Sequence, residues 1–331
     1  MKIAVVILNW NGRDLLKKFL PSLVQFSNHK GVSLYVADNA SSDDSVEFLE
    51  SEFPQISIVK NVKNEGFAGG YNRALQKIEA DVYALLNSDI EVTENWLNPI
   101  IEELENNPNT AAVQPKILDF NNKNNFEYAG AAGGYVDKYG YPYCRGRLFN
   151  TLEKDDSQFD DTKEIFWASG ACLVIRAAVF KQVGGFDEDY FAHQEEIDLC
   201  WRIKNLNFDI KYIGNSSVYH IGGATLKEES PRKTFLNFRN SLFSLAKNVP
   251  KNQVLFIILS RLLLDGIAGM KFLIELRPAH TIAIVKSHFS FYSYYKKMIK
   301  KRGQHQRSDY YTVKSIVWRY FCLGRKKYKD L

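Results

Sequence analysis

The first ninety residues alternate short apolar runs with segments of helical periodicity, and this alternation restricts the fold more than any other feature. Between the runs, leucine and phenylalanine residues recur at helical spacing, most clearly in residues 13–26. Strands that alternate with helices of ten or more residues pair in parallel, so the pattern predicts an α/β fold with a doubly wound sheet. The four predicted strands are IAVVIL (3–8), LYVAD (34–38), ISIVK (56–60) and DVYALLN (81–87).

The pattern changes after residue 115. Residues 116–167 contain clustered turn residues and many tyrosines without a sustained period, which indicates hairpins and a loop. The next segment, 168–186, is typical of a strand followed by a short helix that ends at Gly184 and Gly185.

The length and composition are consistent with one large α/β domain and an appendage. The chain has 331 residues, of which 45% are hydrophobic and 14% aromatic, enough to bury a sizeable core. From about residue 230 the sequence is mostly helical. We therefore predict a domain over 1–229, with halves at 1–115 and 116–229, followed by a helical region over 230–331.

The cysteines and the N-terminus both favour a cytoplasmic protein. The N-terminal run MKIAVVILNWNG is followed by no small-residue cleavage site, so it is better explained as a buried strand than as a signal peptide. The cysteines lie far apart, without a CxxC pair or clustered histidines, which favours reduced thiols over a disulfide framework or a zinc site. They are Cys144, Cys172, Cys200 and Cys322.

The C-terminal region is basic and contains one long apolar segment. Residues 251–331 carry 17 Lys and Arg against 4 Asp and Glu, a net charge of +13, whereas residues 1–250 carry 26 against 34, a net charge of −8. The segment 252–276 resembles a membrane span, but it contains Arg261, Asp265 and Lys271. Each charge is costly at a bilayer centre, which favours an interfacial or partner-packed amphipathic helix, with Arg261 and Asp265 paired on one face.

The basic tail beyond this helix has two candidate partners. Anionic lipid headgroups suit its lysines and tyrosines, and the neighbouring apolar helix favours a membrane as well. Nucleic acid is less favoured because the chain contains no RNA- or DNA-binding motif. We therefore predict an anionic membrane surface as the partner of residues 252–331.

Four loops rich in Asn, Asp and Gly follow the predicted strands. In a doubly wound sheet, ligands bind beyond the carboxyl ends of the strands. Gly66, Gly69 and Gly70 allow close approach of the backbone, and a helix over 69–78 would follow. The loops match neither the dinucleotide fingerprint GxGxxG nor the phosphate-binding GxxxxGK[ST], so an oxidoreductase lacks support. The loops are NWNGR (9–13), DNASSDD (38–44), NVKNEGFAGGYN (61–72) and NSDIE (87–91).

Three polar residues have both a structural and a functional interpretation. Asp38 can cap a helix or accept hydrogen bonds from a base or ribose. Asp89 can be a turn residue or hold a divalent cation that bridges two phosphates. His220 can be structural or a ligand, and the glycines at 222 and 223 indicate an open loop beside it.

The segment FAHQEEIDLCWR (191–202) places three acids at the start of a predicted helix. Acids in the first turn interact favourably with the helix dipole, and Asp198 can pair with Arg202 one turn later. This structural account is sufficient for Asp198. It leaves open whether Glu195 and Glu196 carry chemistry.

Taken in order, several motifs resemble the family 2 glycosyltransferases, and among them the rhamnosyltransferase-like branch. The resemblance covers about 220 residues and implies a GT-A fold that binds a nucleotide-diphospho-sugar and transfers the sugar with inversion. The matching segments are VVILNWNG (5–12), VADNASSDDS (36–45), NEGFAGGYN (64–72), LLNSDIEV (85–92), ASGACLVIRAAVFKQVGGFDEDYF (168–191), EEIDLCWR (195–202) and VYHIGGAT (218–225).

The resemblance also implies site residues. Asp89 stands at the last position of the metal-binding DxD element, whose first position is Asn87 here, and His220 matches a histidine that can complete the site for Mn²⁺ or Mg²⁺. Asp38 would contact the nucleoside. The implied nucleotide-sugar-binding residues are Asn9, Asp38, Asn39, Asn64, Gly66, Phe67, Gly70, Asn72, Asn87, Ser88 and Gly170.

The family's acidic motif is usually Glu-Asp-x-Asp-Leu, with the second acid as catalytic base. That acid is Glu196 in this chain, and the catalytic set carried over from the motif is Glu196, Glu195 and Asp198. A direct displacement needs one base within hydrogen-bond reach of the acceptor hydroxyl. The longer Glu side chain leaves open whether Glu196 or Glu195 reaches it.

Two absences define the subclass. The QxxRW element and the several membrane helices of processive synthases are missing, which implies an enzyme that adds one or a few sugars. The resemblance further implies a glycan or lipid-linked acceptor in bacterial surface polysaccharide synthesis, at the inner face of the cytoplasmic membrane. The alternative, motivated by Asn87 and Glu196, is a nucleotide-sugar-binding protein with impaired catalysis. The donor, the linkage and the oligomeric state are not encoded in these motifs.

Overall fold

The computed structural model describes residues 1–222 and 230–331. Residue 223 of the expected open loop and the predicted domain boundary at 229 lie outside the described residues. The strands are β1 (Ile3–Asn9), β2 (Val32–Asp38), β3 (Ser57–Lys60), β4 (Val82–Asn87), β5 (Ile90–Val92), β6 (Thr110–Asp119), β7 (Gly134–Val136), β8 (Pro142–Cys144), β9 (Arg147–Leu148), β10 (Thr151–Leu152), β11 (Thr162–Glu164), β12 (Cys172–Arg176) and β13 (Asp209–His220).

Helices lie on both sides of the large sheet, and three long helices follow the last strand. A short helical turn at Glu188–Tyr190 precedes the helix that contains the three acids. The helices are α1 (Arg13–Phe26), α2 (Ser45–Glu52), α3 (Gly66–Leu75), α4 (Asn98–Asn106), α5 (Ala177–Gln182), α6 (Glu195–Asn205), α7 (Pro231–Asn248), α8 (Val254–Ile274) and α9 (Pro278–Lys300).

The large sheet confirms the α/β prediction. Its strand order is β11-β13-β6-β12-β4-β1-β2-β3, and β5 pairs with the end of β13. The four strands predicted from the N-terminal alternation, β1 to β4, pair in parallel, with β1 between β2 and β4. Strand β12 runs antiparallel between β4 and β6 and joins the two halves of the sheet. Apolar side chains fill a core on each face of this sheet.

Strand β6 is buried along almost its whole length, yet its sequence has no apolar run. Gln114 donates from Nε2 to the Gly130 carbonyl at 3.1 Å, and Lys116 pairs with Asp155 at 2.9 Å. Since polar side chains are tolerated in a core when they are paired, these partners explain a strand that the hydrophobic pattern does not reveal.

A second, four-stranded antiparallel sheet contains β7 to β10, as the hairpin pattern of residues 116–167 predicted. The end of the chain packs on it. Tyr143 and Leu148 of this sheet form a small apolar cluster with Val313, Ile316 and Tyr320. The C-terminal tail is therefore part of the folded body over these residues.

Helix α7 joins the C-terminal helices to the rest of the molecule. It packs against α6 and against α9. Lys247 of α7 is buried and pairs with Asp187 at 2.6 Å and with Asp198 at 2.8 Å. Lys301, just beyond α9, pairs with Asp187 and Asp189. Buried ion pairs thus tie this region to the loop and helix that contain the acidic motif.

Helix α8 buries the Arg261–Asp265 pair and exposes many of its apolar side chains, among them Leu263 and Ile267. Arg261 and Asp265 pair at 2.7 Å, as the sequence predicted, and both are buried against neighbouring parts of the chain. Tyr141 donates to Asp265 at 3.0 Å, and Arg261 donates to Ser241 at 2.7 Å. Among the described residues, no helix is long and apolar enough to cross a membrane.

Candidate active site

The carboxyl ends of β1 and β2 bring three predicted site residues together. Asn9, Asp38 and Asn39 are all buried. Asn9 donates from Nδ2 to Asp38 Oδ1 at 3.3 Å, and the Asn39 amide donates to the Asn9 carbonyl at 2.8 Å. The other oxygen of Asp38 accepts from the Ser41 amide at 3.1 Å, so Asp38 also shapes its own loop. The alternative that Asp38 caps a helix is wrong, because α2 begins at Ser45 after the cap residue Asp44. The contact between Asp38 and the nucleoside stays a prediction.

The glycine-rich loop continues this network. Asn39 donates to Asn64 Oδ1 at 3.0 Å, and Asn64 also accepts from the Gly66 amide at 2.9 Å. Gly66 has a φ of +71°, and a β-carbon there would lie 2.6 Å from the Phe191 carbonyl. The helix begins at Gly66 and ends at Leu75, not at residues 69 and 78 as predicted. At Gly66 the missing side chain makes room for the protein's own backbone, rather than for a ligand as the sequence suggested.

Asn72 faces away from this network. Its Nδ2 donates to the Phe186 carbonyl at 2.8 Å, and its Oδ1 accepts from the Phe186 amide at 3.0 Å. The side-chain amide thus holds the segment before Glu188–Tyr190 in place. The predicted contact between Asn72 and the nucleotide sugar gains no support from this arrangement.

The turn between β4 and β5 carries Asn87, Ser88 and Asp89. Strand β13 pairs with β5, and this places His220 beside the turn. His220 Nε2 lies 3.1 Å from Asp89 Oδ1 and 3.4 Å from Asn87 Nδ2. Ser88 is a neighbour of Gly12, since a β-carbon at Gly12 would lie 3.7 Å from Ser88 Oγ. The two predicted metal ligands are therefore adjacent, at the same edge of the sheet as Asn9.

Glu127 is a third acidic or basic group at this position, and the sequence analysis did not identify it. It is buried, and its Oε1 lies 3.3 Å from His220 Nδ1. Burial opposes a charge on His220, but the charge of Glu127 and the hydrogen bond to Asp89 outweigh it and raise the pKa of His220 to about 10. No sequence signal points to Glu127, because it lies in a tyrosine- and asparagine-rich stretch that is far along the chain from Asp89 and His220.

The acidic helix α6 follows a strained turn. Phe191, His193 and Gln194 have φ values of +64°, +69° and +72°, a region that residues other than glycine seldom adopt. Asn240 of α7 is fully buried and donates to the carbonyls of Tyr190, Ala192 and His193 at 2.7 to 3.0 Å. This side chain holds the turn that orients the first residues of α6.

Glu195 and Glu196 differ in access. Glu195 is buried, and its Oε2 has no hydrogen-bond partner among the described residues, whereas Glu196 is partly exposed. A β-carbon at Gly170 would lie 3.2 Å from the Phe67 ring and 3.7 Å from Glu196 Cβ, so Phe67 and Glu196 both border Gly170. Burial raises the pKa of Glu196 to about 7. Burial and the charge of Glu196 raise the pKa of Glu195 well above its ordinary value.

Asp198 belongs to a different environment. It is fully buried, pairs with Arg202 at 2.9 Å as predicted, and accepts from Asn248 at 2.9 Å in addition to Lys247. Burial alone would raise its pKa, but Lys247 and Arg202 lower the pKa far below the ordinary value. These contacts favour the structural interpretation of Asp198 over the catalytic one.

The chain matches the model of one protein family, "Glycosyl transferase family 2", over residues 4–184. One relative is the N-acetylglucosaminyl-diphospho-decaprenol L-rhamnosyltransferase of Mycobacterium tuberculosis, 24% identical over 236 residues, which cover 66% of this chain and 75% of the relative.

Two solved structures share the fold. GalNAc-T7, solved with UDP, GalNAc and Mn²⁺, has a TM-score of 0.59 and 15% identity over 76% of this chain. The match covers 48% of GalNAc-T7, so the chain spans about half the length of that protein. The mannosyltransferase PcManGT of Pyrobaculum calidifontis, solved with GDP-Man and Mn²⁺, has a TM-score of 0.52 and 13% identity, over 91% of this chain and 83% of the other.

Proposed function

This chain belongs to glycosyl transferase family 2, and from that premise we propose that it moves one sugar at a time, with inversion, from a nucleotide-diphospho-sugar to a glycan or lipid-linked acceptor. The observation that best supports the proposal is the exposure and raised pKa of Glu196. It is partly exposed beside Gly170, which Phe67 also borders, and its pKa is raised to about 7, which suits a base at neutral pH.

Glu196 is the base in this proposal, and Glu195 supports it. Glu196 removes the proton from the acceptor hydroxyl as the acceptor oxygen bonds to the anomeric carbon of the sugar. The bond from that carbon to the diphosphate oxygen breaks on the opposite face, and the nucleoside diphosphate leaves with the electron pair. Glu195 is buried, and burial together with the charge of Glu196 raises its pKa well above the ordinary value, so in this proposal Glu195 retains its proton while Glu196 ionises.

The residues at the β4–β5 turn fit a divalent cation. Asp89 and His220 would hold the ion, since Asp89 Oδ1 and His220 Nε2 lie 3.1 Å apart at the same turn. The ion would have to displace the proton that the raised pKa of about 10 keeps on His220. Among the described residues no cluster of three or more such ligands occurs, so the donor would have to supply further ligands to Mn²⁺ or Mg²⁺. When bound, the ion would stabilise the charge on the leaving diphosphate.

The buried residues on β1, β2 and the glycine-rich loop are the proposed donor site. Asn9 Oδ1 is buried without a hydrogen-bond partner among the described residues, which is costly unless a ligand supplies one. Asn9 is linked to Asp38, Asn39 and Asn64 by the hydrogen bonds described above. We therefore keep these four residues as the proposed contacts to the nucleotide sugar.

The acceptor proposal draws on the rhamnosyltransferase of Mycobacterium tuberculosis, whose name specifies rhamnose and a lipid-linked diphosphate. We propose a similar acceptor in bacterial surface polysaccharide synthesis, reached at the inner face of the cytoplasmic membrane. The outer face of α8 supports this location, since Leu263 is 74% exposed and Ile267 is 65% exposed. A net charge of +13 over residues 251–331 would add attraction to anionic headgroups.

A panel of nucleotide sugars tests the function. Purified protein is screened by thermal shift with and without Mn²⁺, beginning with dTDP-rhamnose, and each stabilising donor is then assayed for release of the nucleoside diphosphate. The proposal predicts stabilisation by one donor class that depends on the cation, and turnover that Glu196→Gln abolishes without loss of donor binding. Stabilisation without any turnover would instead identify the catalytically impaired binding protein.

A further inference from the structure

Arg147 is a buried arginine at the start of β9, with 6% of its surface exposed. One nitrogen donates to the thiol of Cys144 at 3.2 Å, and the guanidinium lies over the Tyr128 ring, 4.6 Å from its centroid. Its Nε has no hydrogen-bond partner among the described residues. A thiol and an aromatic ring are weak partners for a group that carries a full charge and five donors.

The other buried lysines and arginines of the described residues all have a carboxylate partner. Arg145, two positions earlier, pairs with Asp161 at 2.5 Å. Burying an unpaired charge costs several kcal/mol by general estimates, about the same order as the stability of a domain. Arg147 is the exception within residues 1–222 and 230–331. The paired residues are Lys116, Arg145, Lys204, Lys247 and Arg261.

Arg147 lies beside one end of the candidate active site. Tyr128, which covers the guanidinium, follows Glu127, and Glu127 contacts His220 at 3.3 Å. These contacts connect Arg147 to the β4–β5 turn, which carries the proposed metal ligands.

Tyr128 is the exposed neighbour of the guanidinium. The residue is 39% exposed, although Arg147 beneath its ring is buried. The inference requires this ring to turn aside, so that a ligand reaches the unused donor of Arg147. Phosphate oxygens are the anions that the fork of an arginine binds best, with two parallel hydrogen bonds.

We propose that Arg147 binds the oxygens of a diphosphate that enters the cleft. The inference rests on the proposed function and deepens it, because that function offers two molecules with this chemistry. One is the nucleotide-diphospho-sugar donor and the other is a lipid-linked diphosphate acceptor. In either case the ligand supplies the ion-pair partner that Arg147 lacks among the described residues, since the charge of Glu127 acts on it without forming an ion pair.

The test compares Arg147→Lys and Arg147→Met with Arg145→Lys, a matched control on the same sheet whose guanidinium is already paired. Binding of inorganic diphosphate, of dTDP and of thymidine is measured by calorimetry with the full-length protein and Mn²⁺. We expect the Arg147 variants to bind inorganic diphosphate at least tenfold more weakly, with thymidine unchanged, and to bind dTDP more weakly only if Arg147 holds the donor. Unchanged diphosphate binding in both arms would overturn the proposal.

A second arm separates the two sources of the diphosphate. KM is measured for a short-chain prenyl-diphospho-sugar and for the same sugar on an octyl group that lacks the diphosphate. If Arg147 holds the acceptor, KM rises only for the diphosphate acceptor and dTDP binding is unchanged. If Arg147 holds the donor, dTDP binding weakens and KM for both acceptors is unchanged. Either pattern supports the proposal. If neither dTDP binding nor the KM for the diphosphate acceptor changes, the proposal is contradicted.

Thermal stability separates this proposal from a purely structural role. Arg147→Met removes an unpaired buried charge, so we expect the ligand-free variant to have a Tm equal to or above that of the unaltered protein. A structural role for Arg147 predicts a lower Tm and unchanged diphosphate binding. If the unaltered protein binds diphosphate through Arg147 but transfers no sugar, the proposed function fails while this inference stands.

Discussion

The acidic residues on the two sides of helix α6 differ in whether their charges are paired. On the side that faces α7, Asp198 is matched by Lys247 and Arg202, at 2.8 and 2.9 Å. On the side that faces the cleft, Glu195 and Glu196 stand together, and no described lysine or arginine forms an ion pair with either. Glu196 and Asp198 are only two positions apart on one helix, yet the pKa of Glu196 is raised and that of Asp198 is lowered.

The difference indicates which charges hold the fold and which serve a ligand. The partners of a buried ion pair support the folded state, because removal of one of them leaves the other as an unpaired buried charge. A raised pKa on an acid, or a buried arginine without an anion, is a cost that the protein bears in the free state. By this criterion Asp187, Asp198 and Lys247 support the fold, whereas Glu195, Glu196 and Arg147 are the residues that we propose for the site.

The largest expected effect is the loss of transfer on replacement of the cleft-facing acid. Glu196→Gln keeps the size of the side chain but cannot accept the acceptor's proton. We expect the transfer rate to fall about 10²- to 10⁴-fold, the range typical of a lost general base, with donor affinity retained. Steady-state assays at saturating donor measure this. Glu195→Gln is the control and should retain more activity; the reverse order would make Glu195 the base.

The next effect concerns stability on the α7 side. Lys247→Met leaves Asp187 and Asp198 with one fewer buried cation, so the free energy of unfolding should fall by about 3–5 kcal/mol. Urea denaturation measures the loss. Lys297→Met, at an exposed ion pair with Asp189, should change stability by about 1 kcal/mol or less. Equal effects of the two variants would contradict the assignment of Asp198 to the fold.

The pH dependence of transfer follows from the raised pKa of Glu196. A base must be ionised, so the rate should rise with pH and level off above about 7. Below that pH it should fall about tenfold per unit, because only the ionised fraction is active. The folded-state pKa exceeds the ordinary value of 4.5, so the stability contributed by the protonated acid is lost as pH rises through about 7. A rate that is flat from pH 5 to 8 would contradict Glu196 as the base.

The smallest effect is expected at the outer face of α8. Leu263→Glu combined with Ile267→Glu places two charges on exposed positions and should weaken binding to anionic liposomes about tenfold or more. Flotation with phosphatidylglycerol vesicles measures it. Leu152→Glu with Leu206→Glu is the matched control, at exposed leucines outside the C-terminal helices. Point variants are preferable to truncation near residue 250, which would remove Lys301 from Asp187.

The sequence predicted the parts of the fold whose signals are local. The alternation of strands and helices identified β1 to β4 and the loops after them, and the structure confirms their parallel pairing. It also confirms the Asp198–Arg202 and Arg261–Asp265 pairs, since each spans one helical turn. Strand β6 was missed because its polar residues are paired with distant parts of the chain.

The residues that sequence reasoning could not find are those whose roles depend on distant partners. Glu127 meets His220 only because β13 pairs with β5. Asn240 reaches the strained turn before α6 only because α7 packs there. The orientation of α8 also depends on distant partners, since Tyr141 donates to Asp265 and Ser241 accepts from Arg261.

The most direct test of the contrast across α6 is one thermal unfolding experiment at pH 8 on two variants that differ by two positions. Glu196→Gln and Asp198→Asn each replace a carboxylate with an amide of the same shape. The charge of Glu196 has no ion-pair partner, whereas the charge of Asp198 is paired with Lys247 and Arg202. Glu196→Gln should therefore unfold at a higher temperature than the unaltered protein and Asp198→Asn at a lower one. A lower Tm for Glu196→Gln, or an unchanged Tm for Asp198→Asn, would contradict the account.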